Sequence, residues 1–264
     1  MSILNRSKLK ELPANLWVAS ATSFLTDISS EMVINILPLF LSAVLGVKTN
    51  IIGIIEGIAE ATSSILKVFS GWLSDRLRTR KWLAVAGYGL SALAKPFFYF
   101  ANSWGAVAGV RWADRVGKGV RTAPRDALVA DNVKPEQRGL AFGLHRAADT
   151  AGALLGILIA AFIVWKLQAG SSVLAEHTFR TVVLISLIPA FLAVIVLAVG
   201  TKEVKVEGEV RKVRISLKGL GRNFIIFLVI VGIFDLGNSS DAFLVLRAQE
   251  RGMSAMNILI MLAA

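Results

Sequence analysis

The sequence predicts an all-α membrane protein. It has a six-helix transmembrane bundle over residues 1–200, a basic linker over 201–222, and the start of a second bundle over 223–264. Three observations point there. First, 55% of the 264 residues are hydrophobic and the mean hydropathy is +0.65, against roughly 45–50% apolar residues in a soluble domain. Second, the apolar residues fall in runs of about 20, the length that crosses a bilayer core as a helix. Third, the net charge of +11 is concentrated in short segments between those runs. Lys and Arg beside apolar spans stay on the cytoplasmic side. That placement argues against a nucleic-acid partner, which the pI near 10.3 would otherwise suggest.

The spans follow in order. The basic N-terminal segment MSILNRSKLKELPAN leads into an apolar run too long for a signal h-region, so a cytoplasmic N-terminus and no cleaved signal are expected. Span 1, residues 16–45, carries Asp27, Glu31 and Asn35 at i, i+4, i+8, on one helical face. Span 2, residues 51–73, carries Glu56 and Glu60, again at i, i+4, and Lys67 further in. A basic turn, GWLSDRLRTRK at residues 71–81, separates it from the nearly charge-free span 3, residues 82–101, whose exception is Lys95-Pro96. Span 4, residues 104–126, holds Arg111, Asp114, Arg115, Lys118, Arg121, Arg125 and Asp126. Hydropathy alone makes it a loop. Parity makes it a helix, because span 3 ends outside and the next basic cluster, residues 121–138, belongs inside. A helix so charged must face protein or water. Span 5 covers 140–165, with Arg146 and Asp149 at its start, and the uncharged span 6 covers 181–199. The linker holds seven bases against three acids. Span 7, residues 224–246, carries Asp235, Asn238 and Asp241 on roughly one face. The apolar run at 254–264 covers about half a span, and the reading is of a chain cut inside span 8.

Charge in these spans has a period of three. Spans 1, 4 and 7 are the most polar, 2 and 5 intermediate, 3 and 6 nearly apolar. A charge at mid-bilayer costs about 2.5–3.5 kcal/mol on insertion scales, so these groups must pair or line a wet cavity. Repeated three-helix units, the first helix of each lining a pathway, are expected of a transporter built from inverted repeats. Asp27 and Glu31 are the candidates for proton or cation coupling, since carboxyl groups inside membranes mark proton relays. The alternative is a pair neutralised by Arg111 or Arg115 that ties span 1 to span 4. Arg111, Asp114 and Arg115 would hold an anionic group or pair with those acids. Glu56 and Glu60 read as a wet outer mouth, Arg146 and Asp149 as a local pair, His145 as an interfacial histidine. Asp235, Asn238 and Asp241 would line the cavity from the second bundle. Trp112 alone among the tryptophans lies away from a span end and could face substrate.

Cysteine is absent, and His145 and His177 are far apart, so neither thiolate nor histidine metal sites are expected. No G-x-x-x-x-G-K-[ST] occurs. The reading is of a protein that is not an enzyme and needs no cofactor, with the bilayer, a small molecule and protons as its partners.

GWLSDRLRTRK resembles the signature between spans 2 and 3 of the major facilitator superfamily, G-x-L-a-D-R-x-G-R-(R/K). Gly71, Leu73, Asp75, Arg76 and Arg80 match, while Arg78 replaces the second glycine and Thr79 an arginine. RWADRVGKGVRTAPRDALVAD and PEQRGLAFGLHRAADTAGALLG are similar to a prokaryotic branch of that family without a settled substrate. The resemblance covers the whole chain and implies two six-helix bundles, of which this chain holds the first, the linker and the start of the second. It implies a conformational gate at Asp75, which would dock on a helix end of the other bundle, supported by Arg76 and Arg80. The alternative is that this segment only sets topology. The family's span 4 motif, R-x-x-x-G-x-G, is met at Gly117 and Gly119 but has Ala113 at the arginine, leaving Arg111 or Arg115 for that role. Its antiporter motif, G-x-x-x-G-P, is met at Gly152 and Gly156 with Ile157 at the proline; such a pair also packs helices in any membrane protein. The resemblance implies a secondary transporter in the cell membrane, proton-coupled and exporting a small organic solute. The other readings are an uptake permease for an anionic metabolite and a non-transporting sensor or scaffold.

Overall fold

The computed structural model describes residues 11–168, 173–203, 221–238 and 240–264. Helix α1 (Ala14–Ile34) begins the chain's first span. It stops short of Pro38, whose ring crowds the carbonyl four residues back, at Ile34, and which lacks an N–H. A short α2 (Leu37–Leu39) and a π-helical turn (Phe40–Val44) complete the span, so the single helix expected over 16–45 is broken at Asn35 and Ile36. The same device divides the third span into α4 (Lys81–Ala94) and α5 (Phe97–Phe100), with Pro96 at the break.

Between them α3 (Thr49–Leu77) runs for 29 residues, about 43 Å. It takes in Gly71, Asp75 and Arg76, which corrects the expectation of a turn over 71–81. One helical glycine costs only about 1 kcal/mol, and nothing else in GWLSDRL opposes a helix. The turn is confined to Arg78, Thr79 and Arg80. Arg78 ends the helix in the left-handed conformation, φ 53° and ψ 31°, the geometry glycine takes most easily.

The segment assigned by parity is a helix. α6 (Trp104–Asn132) also has 29 residues, six more at its end than expected, and Ser103 caps it by accepting the Ala106 N–H at 3.3 Å. α7 (Arg138–Gln168) and α8 (Glu176–Gly200) follow. The seventh span is broken: α9 (Arg222–Leu236) closes at Gly237, and α10 (Asp241–Glu250) opens where Ser240 Oγ accepts the Ala242 N–H. Asp235, Asn238 and Asp241 therefore do not share a helical face, contrary to expectation. A glycine stop and a serine start in GNSSD outweigh the apolar periodicity on either side. α11 (Ala255–Ala263) ends the described chain.

Packing repeats across the two triplets. α1 packs on α7 and α8; α6 packs on α3 and α4; α4 and α8 touch each other. Exchanging the first, second and third spans with the fourth, fifth and sixth maps this set of partners onto itself, as the inverted repeat requires. The α1–α7 contact is close because Gly152 and Gly156 have no side chain. A Cβ on Gly156 would lie 2.5 Å from the Ile28 carbonyl oxygen, and one on Gly152 would collide with that of Phe24. Gly87 and Gly117 do the same for α4 and α6. The main apolar core lies at the end opposite the basic residues, where Phe40 stacks on Phe179 with ring centroids 3.9 Å apart. A smaller core of Leu12, Leu16, Val129 and Ala141 joins α1, α6 and α7 at the basic end. α10 and α11 lie against the first bundle, on α3 and α7, while α9 has no buried residue.

Ala14–Val44, Pro135–Gln168, Glu176–Gly200 and Arg222–Glu250 are each long and apolar enough to cross a membrane by length and composition. On α8 the exposed residues Leu184, Ile188, Leu192, Ile195 and Val199 form one outward apolar stripe.

Candidate functional site

Two rungs of opposite charge join α3 to α6. Arg111 grips Glu56 with both arms of its guanidinium, Nη2 to Oε2 at 2.6 Å and Nε to Oε1 at 3.1 Å. One turn further in, Arg115 Nη2 reaches Glu60 Oε1 at 2.8 Å. Residues four apart on one helix meet residues four apart on the other, so the ladder needs no backbone distortion. Gly119 lets the helices approach, since a Cβ there would lie 2.6 Å from Leu66 Cβ and 2.9 Å from the Ser63 carbonyl oxygen. The arginines do not pair with Asp27 or Glu31, as one expectation had it; they tie the fourth span to the second, not to the first. Glu56 is buried, which also corrects its reading as part of a wet mouth. Asp114 lies 3.8 Å from Arg111 on the same helix.

The ladder forms one wall of a cavity of about 250 Å³. Lys118, midway along α6, continues that wall. Glu31, Asn35 and Pro38 supply the face from the first span, and Ser240, Asp241 and Val245 close it from α10. Glu31 accepts the Asn35 side-chain N–H at 2.9 Å. Asp241 reaches the cavity; Asp235 and Asn238 are exposed and do not line it.

Asp27 lies one turn from Glu31 towards the basic end. Its carboxylate makes no hydrogen bond or ion pair among the described residues, while Arg121, Arg125 and Asp149 are its charged neighbours. Around it the polar groups are mostly satisfied by hydroxyls. Lys95, 3% exposed, donates to Ser29 Oγ at 2.5 Å and Ser30 Oγ at 3.1 Å. Arg125 donates to Ser23 Oγ at 2.8 Å, Ser23 meets the Tyr88 hydroxyl at 3.1 Å, and Arg121 stacks 4.4 Å from the Tyr88 ring centroid. His145 joins α7 to Ser20 of α1 at 3.3 Å. Asp149 stands 3.8 Å from His145 and 3.9 Å from the exposed Arg146, so the Arg146 pair is local and loose. Trp112 is half exposed and donates to Thr62 Oγ1 at 3.2 Å.

A second cluster sits at the basic end. Arg80 is buried; it binds Asp75 at 2.5 Å, Asp131 at 3.2 Å and Ser74 Oγ at 2.8 Å. It thereby joins the end of α3, the end of α6 and the start of α4. Glu203, just past α8, accepts the backbone N–H of Arg80 at 2.8 Å and of Lys81 at 3.1 Å, so its carboxylate caps α4. Asn15 holds the neighbouring backbone, accepting from Lys202 N–H and donating to its carbonyl, both at 2.9 Å. Arg76 stacks on Trp72.

Sequence reasoning therefore found Glu31, Arg111, Arg115 and Asp241, which the fold brings together, and missed the parts played by Glu56, Glu60, Lys95, Lys118, Asp131 and Glu203. A signal existed for the ladder: two acids at i, i+4 in one span, two bases at i, i+4 in another. No such signal marks Glu203, which sits among linker charges.

The family model of the Major Facilitator Superfamily matches residues 19–264. An uncharacterized MFS-type transporter of Methanocaldococcus jannaschii is 36% identical over 246 residues, 93% of this chain and 59% of that protein. The multidrug resistance protein MdtH of Cronobacter sakazakii is 32% identical over 134 residues, 47% of this chain and 30% of its own length. A solved POT family transporter in complex with 5-aminolevulinic acid has the same fold, with TM-score 0.62 at 16% identity, over 93% of this chain and 49% of that one. The chain thus spans at most about three-fifths of these relatives.

Proposed function

The chain belongs to the major facilitator superfamily, and from that premise we propose that it is part of a secondary active transporter that exports a small organic solute in exchange for protons. The observation that carries this reading is the cavity between α1, α3, α6 and α10. It extends from about the first quarter to the middle of α3 and α6, lined by ionisable groups from both triplets. Charges at that depth are too costly to keep without a use or a partner, and Asp27, one turn from the cavity wall, has neither hydrogen bond nor ion pair among the described residues. A carboxylate there that gains and loses a proton changes the charge of the pathway, and so the balance between states open to either side. In this reading the N-terminus and the Arg76–Lys81 segment are cytoplasmic, and the protein resides in the cell membrane.

Asp75, Arg80 and Asp131 form the gate in this account. Arg80 is fixed by Asp131 and Ser74, while the Asp75 side chain, paired with Arg80, is 57% exposed and presents its carboxylate to a helix end elsewhere in the protein. A carboxylate at a helix N-terminus contributes about 0.3–1 kcal/mol, up to roughly 2 when partly buried, enough to shift a two-state balance. Export is favoured by similarity to MdtH, named as a multidrug resistance protein. Uptake of an anionic solute is the second reading, favoured by Arg115 and Lys118 on one wall. The protein reconstituted in liposomes, with and without a pH gradient, tests both. Gradient-driven efflux is expected; gradient-driven influx supports uptake. Absence of flux for every solute class tried leaves the sensor reading.

A further inference from the structure

The two rungs are not equally closed. Arg111 gives Nε and Nη2 to Glu56, and its Nη1, buried without a hydrogen bond, faces Asp114 at 3.8 Å, so its charge is met on both sides. Arg115, 5% exposed, gives one nitrogen to Glu60, a carboxylate that is itself 53% exposed, and its Nε is buried without a hydrogen-bond partner. The Lys118 ammonium, one turn on, makes no hydrogen bond or ion pair among the described residues, and both side chains line the cavity. A buried guanidinium held by one carboxylate oxygen, beside an ammonium with no partner, is a costly state, relieved by an anion in the cavity that meets both side chains. Across the cavity the imbalance has the opposite sign. Glu31 is met only by the Asn35 amide, and Asp241, the first residue of α10, has no basic partner among the described residues.

We propose that this cavity binds a small amphoteric solute, its anionic group at the cavity faces of Arg115 and Lys118 and its ammonium group at Glu31 and Asp241. The assignment names the substrate class of the transport site proposed above and rests on that reading. An apolar solute would leave Lys118, Glu31 and Asp241 without a partner of opposite charge and Arg115 with Glu60 alone. A simple anion would satisfy one wall and leave the acids facing it. Only a solute carrying both signs closes both walls. The volume agrees: 250 Å³ holds about eight waters at roughly 30 Å³ each, below the 300–1,000 Å³ typical of drug-sized pockets.

The test is binding to the purified protein, by calorimetry, of matched probes: 4-aminobutyrate, butyrate and butylamine, with glycine and 6-aminohexanoate as shorter and longer zwitterions. At least one zwitterion is expected to bind about tenfold or more tighter than butyrate and butylamine. Lys118→Gln should weaken it about tenfold, the loss of one charge-assisted hydrogen bond, and Lys118→Arg should retain it. Equal binding of all probes, no binding of any zwitterion at millimolar concentration, or undiminished binding by a monodisperse Lys118→Gln overturns the assignment. The transport reading fails separately. If a zwitterion binds but no solute crosses the liposome membrane, the site stands and the transporter does not. If lipophilic cations are carried equally by Lys118→Gln and the parent, the transporter stands and this site does not.

Discussion

Glu56 and Arg111 form a deeply enclosed ion pair, their side chains 10% and 2% exposed. Removing one partner of such a pair leaves a buried charge without compensation, at a cost of about 3–5 kcal/mol. Glu56→Gln should therefore lower the thermal midpoint in detergent sharply, and exchanging the charges (Glu56→Arg with Arg111→Glu) should recover part of the loss. A Glu56→Gln protein that melts like the parent would show the pair to be incidental. Glu60→Gln also leaves a buried guanidinium, Arg115, without its carboxylate, and should cost less than Glu56→Gln because Glu60 is half exposed and water reaches the pair. Arg78 supplies a second prediction at this scale. Its φ of 53° suits glycine, so Arg78→Gly should fold as well as the parent, while the β-branched Arg78→Val should be destabilised by at least about 1 kcal/mol. Melting curves of the two variants separate these outcomes. At this scale the sequence was only partly legible. Spacing shows that Glu56 and Glu60 share a face, and that Arg111 and Arg115 do. It does not show which helix each face meets, because i, i+4 pairs fit any neighbour. The fold decided for the second span over the first.

Among the elements, breaks matter more than lengths. Pro38 and Pro96 interrupt the first and third spans, and both prolines were visible in the sequence. Their effect was hidden by the apolar residues on either side, which keep a hydropathy window high across a break. The break at Gly237 carries more consequence, since it moves Asp241 into the cavity and leaves Asp235 outside it. The fourth span shows the reverse case: its charges conceal a helix from hydropathy, and parity recovers it. Two element-level outcomes are expected. Glu203→Ala removes the carboxylate that accepts the Arg80 and Lys81 N–H groups, and should cost about 1 kcal/mol, the usual value of an N-terminal cap. Amide exchange at the start of α4 should quicken; unchanged exchange would assign the cap to water. Gly156→Leu should separate α1 from α7 and abolish monodisperse protein, whereas Gly143→Ala, with open space around it, should be silent. Size-exclusion profiles of the two distinguish packing from general intolerance on α7.

At the scale of the molecule, the symmetric exchange of packing partners between triplets gives α1 and α6 equivalent places, and both present charge to the interior. The charge period of three anticipated that arrangement from the sequence. The relation of cavity to gate was not legible, since it depends on Arg80, at the start of α4, meeting Asp131, 51 residues later at the end of α6. Proton coupling at Asp27 is tested most directly by solute flux through the protein in liposomes as a function of the pH gradient, parent against Asp27→Asn. Such coupling predicts that Asp27→Asn inserts and binds solute but carries it at a rate indifferent to the gradient. Flux by Asp27→Asn with the parent's dependence on the gradient would contradict it.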